Sequence, residues 1–174
     1  GKRSASTTAG KGVAVLACVM GPIFTCSCGS SYMMASQLAW NTVTLPLGYL
    51  GTAIPAGAAI WMLLGFYCKE SEEAHKTAGV ELAVAGVGSL GLSAAYGLVS
   101  GAEMGSQAVL FWLGVVAVGS VVPLVCGLLT MRNPKQAFTA GLVGMVCGFA
   151  GSVSYRVLMW TASVALMALF GETI

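Results

Sequence analysis

LPLGYLGTAIPAGAAIWMLLGFY, residues 45–67, runs for 23 residues without a charged side chain and stops at CKESEEAHK, residues 68–76, which holds five. A hydrocarbon core about 30 Å thick takes ~20 apolar residues of helix to cross. The first stretch therefore reads as a membrane span and the second as a solvated turn. Working outward, the same alternation recurs at residues 12–32, 79–101, 108–129 and 140–160. Seven of the eight Lys and Arg residues lie in alternate connections: Lys2, Arg3 and Lys11 before the first span, Lys69 and Lys76 after the second, Arg132 and Lys135 after the fourth. The other connections, residues 33–44 and 102–107, hold no Lys or Arg. Positive charge collects on the cytoplasmic side of membrane proteins. The fold expected is an all-α, polytopic transmembrane helix bundle of about five spans, with its N-terminus cytoplasmic and its C-terminus outside. Residues 1–11 form a polar cytoplasmic segment and residues 12–170 the bundle.

Composition agrees with a lipid environment. Hydrophobic residues make up 57% of the chain and charged residues 8%, with a mean hydropathy of +0.86. Soluble domains carry about a quarter charged residues. The net charge of +2 sits in connections, so nothing points to nucleic acid. A first residue of Gly suggests a processed or partial chain, and the first apolar stretch is too long for an ordinary signal-peptide core.

Several motifs have plain structural readings. Gly86-Val-Gly88-Ser-Leu-Gly91 matches the dinucleotide-binding pattern, which has meaning only between a strand and a helix. In the middle of a span it reads as helix packing. Cys26 and Cys28 would point about 200° apart on a helix, poor geometry for one metal, so no metal site is expected. His75 is the one histidine and lies in the charged turn, so these spans offer no bis-histidine haem of their own. Gly97/Gly101 and Gly144/Gly148 recur four apart, a spacing that lets helix backbones approach. Pro22, Pro55 and Pro123 fall inside spans and are expected to kink them. No span pairs a nucleophile with a base, so no catalytic residue is assigned.

Four residues stand out as candidates for function. Glu103 closes the third span on the side free of Lys and Arg, where a carboxylate either faces water or takes a proton. Arg156 lies among apolar neighbours, and such a charge tends to face a partner or a cavity. It either snorkels to the interface, pairs with Glu103, or touches a bound headgroup or partner subunit, while Tyr155 and Trp160 suit an interfacial belt. Trp40 and Asn41, in an uncharged connection, suit an interface or a protein-docking surface. Glu81 reads as a favourable charge near a helix N-terminus.

Three stretches resemble the membrane-anchor (C) subunit of the dimethyl sulfoxide reductase family. SQLAWNT, residues 36–42, resembles that family's "rPaWNt" segment, with Leu38-Ala39 in place of Pro-Ala. SGAEM, residues 100–104, resembles its "GAEL" segment. AGSVSYRVLMW, residues 150–160, resembles its closing "GEligRvlFY" helix, with Ser152 at a commonly acidic position and Met159-Trp160 in place of Phe-Tyr. The resemblance implies a multi-pass subunit of the bacterial cell (inner) membrane, matching the last five helices of an eight-helix bundle. It implies a haem-free, non-catalytic anchor in anaerobic respiration that oxidises menaquinol. Electrons would pass to an iron-sulfur subunit and on to a molybdopterin catalytic subunit, with no cofactor held by this chain. Under it Glu103 and Arg156 become candidate quinol-binding residues, and Trp40 and Asn41 candidate partner-docking residues. The alternative is a membrane component of a transporter or channel. Transporters favour repeats and polar groups at mid-span, and here the mid-span offers little beyond Ser and Thr.

Overall fold

The computed structural model describes residues 8–34, 40–102 and 105–171, with side-chain environments for residues 11–34, 40–102 and 105–161. Helices α1 (Thr8–Ser30), α2 (Thr44–Tyr67), α3 (Glu72–Ser100), α4 (Val122–Arg132) and α5 (Ala137–Gly171) follow one another, and a π-helical stretch, Leu110–Val121, leads into α4. Among the described residues there is no strand, and five helical segments are long and apolar enough to cross a membrane.

The helix boundaries differ from the sequence expectation where capping chemistry intervenes. α3 begins at Glu72, seven residues before the expected position, because Ser71 accepts from the Ala74 N–H and Glu72 and Glu73 occupy the first turn. Both features stabilise a helix N-terminus. Most of the charged segment is therefore helix, and the turn shrinks to Cys68, Lys69 and Glu70, with Lys69 at φ 54°. Glu81 then lies in the third turn of α3, on its exposed side beside α2, rather than at the helix start. Gly101 is no packing glycine. It caps α3 at φ 70°, a conformation glycine adopts without steric cost. At the next reversal Asn133 leaves the helix at φ −135° and accepts from the Lys135 N–H, so Arg132-Asn133-Pro134 breaks the chain as expected. α5 runs past Trp160 to Gly171, since no breaker follows Trp160.

Pro123 falls where the π-helical stretch passes into α4, inside one continuous helical run from Gly105 to Arg132. The residues before it are wound in the wider π register, and the Val122 N–H reaches back five residues to the Ala117 carbonyl. The Ser120 hydroxyl also donates to the Val115 carbonyl, at 3.3 Å.

α2, α3, α5 and the π-helical stretch with α4 form one four-membered bundle through glycine-mediated contact. A Cβ on Gly127 would stand 2.5 Å from the Ala83 nitrogen, and one on Gly79 2.9 Å from the Gly127 carbonyl oxygen, so α3 and α4 touch backbone to backbone. Gly119 meets Gly151, Gly148 meets Ala56 and Gly86 meets Leu124 in the same way. Lipid tails are as apolar as the side chains, so close packing of this kind replaces the hydrophobic effect as the force between spans. Of the glycine-rich motif only Gly86 packs, while Gly88 and Gly91 face open space. α1 stands apart. Only 6% of its most apolar window is buried, against 50% for α2, and its contact with α2 centres on Gly29 against Pro46.

Candidate functional site

The two ends of the bundle differ in chemistry. At one end the α2–α3 and α4–α5 reversals bring Phe66 against Phe138 (5.2 Å between ring centroids) and His75 (6.1 Å), beside the Lys and Glu residues of the turns. At the other end Trp40, Leu45, Tyr49, Tyr96, Ala102, Phe111, Tyr155 and Met159 share one buried cluster. Residues from each of the three stretches singled out in the sequence meet there: Trp40 from the first, Ala102 from the second, Tyr155 and Met159 from the third.

Each aromatic side chain of this cluster is held by a definite contact. The Trp40 indole Nε1–H donates to the Met159 carbonyl at 3.0 Å, and its ring lies edge-on to Tyr32 and to Trp160. The Tyr155 hydroxyl donates to the Leu45 carbonyl at 3.1 Å, and its ring fills the space over Gly48. The Tyr49 hydroxyl points at the Met159 sulfur, 3.7 Å away. Tyr32, from the turn after α1, stacks on Tyr49 at 6.1 Å. Phe111 closes on Gly97, and Tyr96 packs edge-on to Tyr155 at 5.0 Å. Ala102 is drawn in because the Gly101 cap turns the chain and the Ala102 N–H returns to the Gly97 carbonyl.

Trp40 is buried at 6% exposure and its indole N–H is bonded to the Met159 carbonyl, so the ring acts as a clasp within the chain. Asn41 beside it is exposed. Tyr155 does not join an interfacial belt, because at 1% exposure it is among the most buried side chains of the protein, whereas Trp160 is half exposed. Glu103 lies outside the described residues, and so do residues 36–39 and 104 of the resembling stretches.

Arg156 is exposed on α5. Its Nη1 donates to the Ser152 hydroxyl at 2.8 Å, and its guanidinium carbon lies 5.2 Å from the centre of the Tyr49 ring. Helical side chains lean toward the helix N-terminus. For Arg156 that direction is one turn toward the middle of the span, away from Trp160. The guanidinium lies against the Ser152 hydroxyl and the Tyr49 ring of the aromatic cluster. A guanidinium carries five N–H donors, and the hydrogen bonds to Ser152 use Nη1 alone. The arrangement offers an oriented cation to an oxygen-bearing group beside the aromatic cluster. Tyr49 and Tyr96 were not legible as part of this site, although each adjoins a glycine (Gly48, Gly97) that makes room for a neighbouring ring.

Among the described residues, no three of His, Cys, Asp and Glu come together as a metal-ligand set. Comparison of the chain with protein-family models, curated proteins and solved structures found no match.

Proposed function

We propose that this chain is a haem-free membrane-anchor subunit of a molybdopterin oxidoreductase complex of the dimethyl sulfoxide reductase type, oriented in the bacterial inner membrane with the aromatic end outward. In that role it oxidises menaquinol near the outer face. Each quinol loses two electrons to an iron-sulfur partner subunit and releases two protons to the outer side. The observation that supports the reading is the meeting of three separate resembling stretches in one buried cluster at the end of the bundle away from Lys69, Lys76, Arg132 and Lys135. Convergence of segments far apart in sequence is what a shared site requires. Arg156 would meet a quinol oxygen through its open donors, and Glu103 would accept a proton. Asn41, exposed beside the Trp40 clasp, is the candidate contact to the partner subunit.

The experiment is purification from native membranes in mild detergent followed by mass spectrometry of every co-purifying chain. An iron-sulfur protein and a molybdopterin protein in fixed ratio are the expected result. A chain that purifies with no redox partner overturns the reading. In the complex, Arg156→Gln is expected to slow menaquinol oxidation at least tenfold while assembly stays intact. Equal loss of both would make Arg156 structural.

A further inference from the structure

Glu81 places a carboxylate about 14 Å along α3 from its start, exposed on the outside of the bundle. It borders an open groove of about 630 Å³ between α2 and α3. The rest of that groove is apolar, with Gly57 and Ala58 on the α2 side and Val84, Ala85 and Gly88 on the α3 side. Gly57 and Gly88 meet nothing within 4 Å. An ionisable side chain on a membrane span is costly and usually pairs with another group. Among the described residues Glu81 makes no ion pair.

α1 presents a complementary surface. Lys11, Ala14, Cys18 and Gly21 follow at spacings of three and four, which puts them on one face. Gly29, five turns on from Lys11, continues that face and meets Pro46 of α2. From this contact α1 leaves the bundle. Residues 11–24 are all exposed, and Gly12 and Gly21 meet nothing within 4 Å. Small residues so spaced let two helix backbones approach. Lys11, like Glu81, makes no ion pair among the described residues.

The two charges also match in depth. Lys11 lies about 27 Å from the Gly29–Pro46 contact, toward the charged end. Gly51 against Leu92 sets the register of α3 on α2. Counting from Pro46 to Gly51 and from Leu92 to Glu81 puts Glu81 about 24 Å toward the same end. Its side chain leans toward the helix N-terminus and so closes part of the remaining distance. By the same count Cys18 is level with Gly57.

We infer that two copies of this chain associate by exchanging α1, each laying its Lys11–Gly21 face along the other's α2–α3 groove with Lys11 against Glu81. A second copy in the same orientation brings both a small-residue face and an ammonium at the required depth. The groove continues the side of α2 that carries the α1 contact, since Pro46 and Gly57 are about three turns apart. A contact left open within one chain and made with its twin is the principle of domain exchange. Because the exchange is reciprocal, the assembly closes as a twofold dimer. The inference is independent of the redox reading above.

Sedimentation of the full chain across a series of detergent concentrations reads the association. The original protein is compared with Glu81→Lys, Lys11→Glu and the two changes combined. Each single change sets like charges together and should raise the dimer dissociation constant roughly tenfold or more. The combination restores the pair and should recover most of the loss. A chain that stays monomeric, or a dimer indifferent to both charges, overturns the inference. Oxidative cross-linking adds a reading that leaves the charges intact. Cys18 is an exposed thiol on the α1 face, and Gly57→Cys sets a second thiol in the groove. A disulfide between two copies that disappears in Cys18→Ala supports the exchange. The same disulfide within one copy means that α1 closes on its own groove, and a cross-link to a different membrane protein means another occupant. Either result rejects the dimer.

Discussion

At the aromatic end, side chains reach across the bundle to residues more than a hundred positions away: Trp40 to Met159, Tyr49 to Met159 and Tyr155 to Leu45. At the charged end, no side-chain hydrogen bond among the described residues joins two helices. Thr130, the buried hydroxyl there, bonds its own backbone. Helices at that end meet through Gly79 and Gly127, through Gly141 against Leu63 and through the Phe66–Phe138 rings. Directional bonds fix rotation about a helix axis, whereas glycine contacts fix the distance between axes. The aromatic end adds directional bonds to its glycine contacts, whereas the charged end relies on glycine and ring contacts among the described residues.

Substitution breaks the comparison most sharply at the charged end. Gly127→Leu forces a side chain between two backbones that have nowhere to move. We expect a loss of about 3 kcal/mol or more, read as failure to recover a monodisperse species by gel filtration in detergent. Next is the clasp at the aromatic end. Trp40→Ala empties a buried ring site and should cost about 3–5 kcal/mol, seen as a large fall in the unfolding midpoint with helix content retained by circular dichroism. A preserved midpoint would mean that the aromatic end is not what holds α2 to α5. Tyr155→Phe isolates the directional component, because it removes one hydroxyl and keeps the ring. Hydrogen bonds between membrane helices average ~0.6 kcal/mol and reach ~1.7, and chemical denaturation of the variant should fall within that range. The smallest effect separates packing from motif. Gly88→Ala meets nothing within 4 Å and should stabilise α3 by about 0.5–1 kcal/mol, while Gly86→Ala, facing Leu124, should destabilise it in the same assay.

Much of the charged end was legible in the sequence because its signals are local. Twenty or so apolar residues between charged turns announce a span, and Arg132-Asn133-Pro134 announces a break. The cap at Ser71 was equally local, and there the charge of the following residues masked a helix start. The aromatic end was legible only in part. Trp40 and Arg156 stood out by residue type, but nothing near Trp40 in the chain names its acceptor at Met159. Tyr155 looked like a belt residue because position along the chain gives depth in the membrane and not the direction in which a ring points. The π winding before Pro123 was hidden for a similar reason: it depends on which carbonyl each N–H selects, and a proline marks only where one choice is removed.

The Trp40 clasp also has a consequence in time. Its donor and acceptor are 119 residues apart, and at a synthesis rate of about 5–20 residues per second the acceptor emerges roughly 6–24 s after the indole. During that interval the segment after α1 has entered the membrane with its ring unanchored and its N–H unanswered. The aromatic end is therefore the last part of the molecule to close, and each new copy passes through a stage, set by the ribosome's pace, in which this end stands open to whatever else the membrane offers.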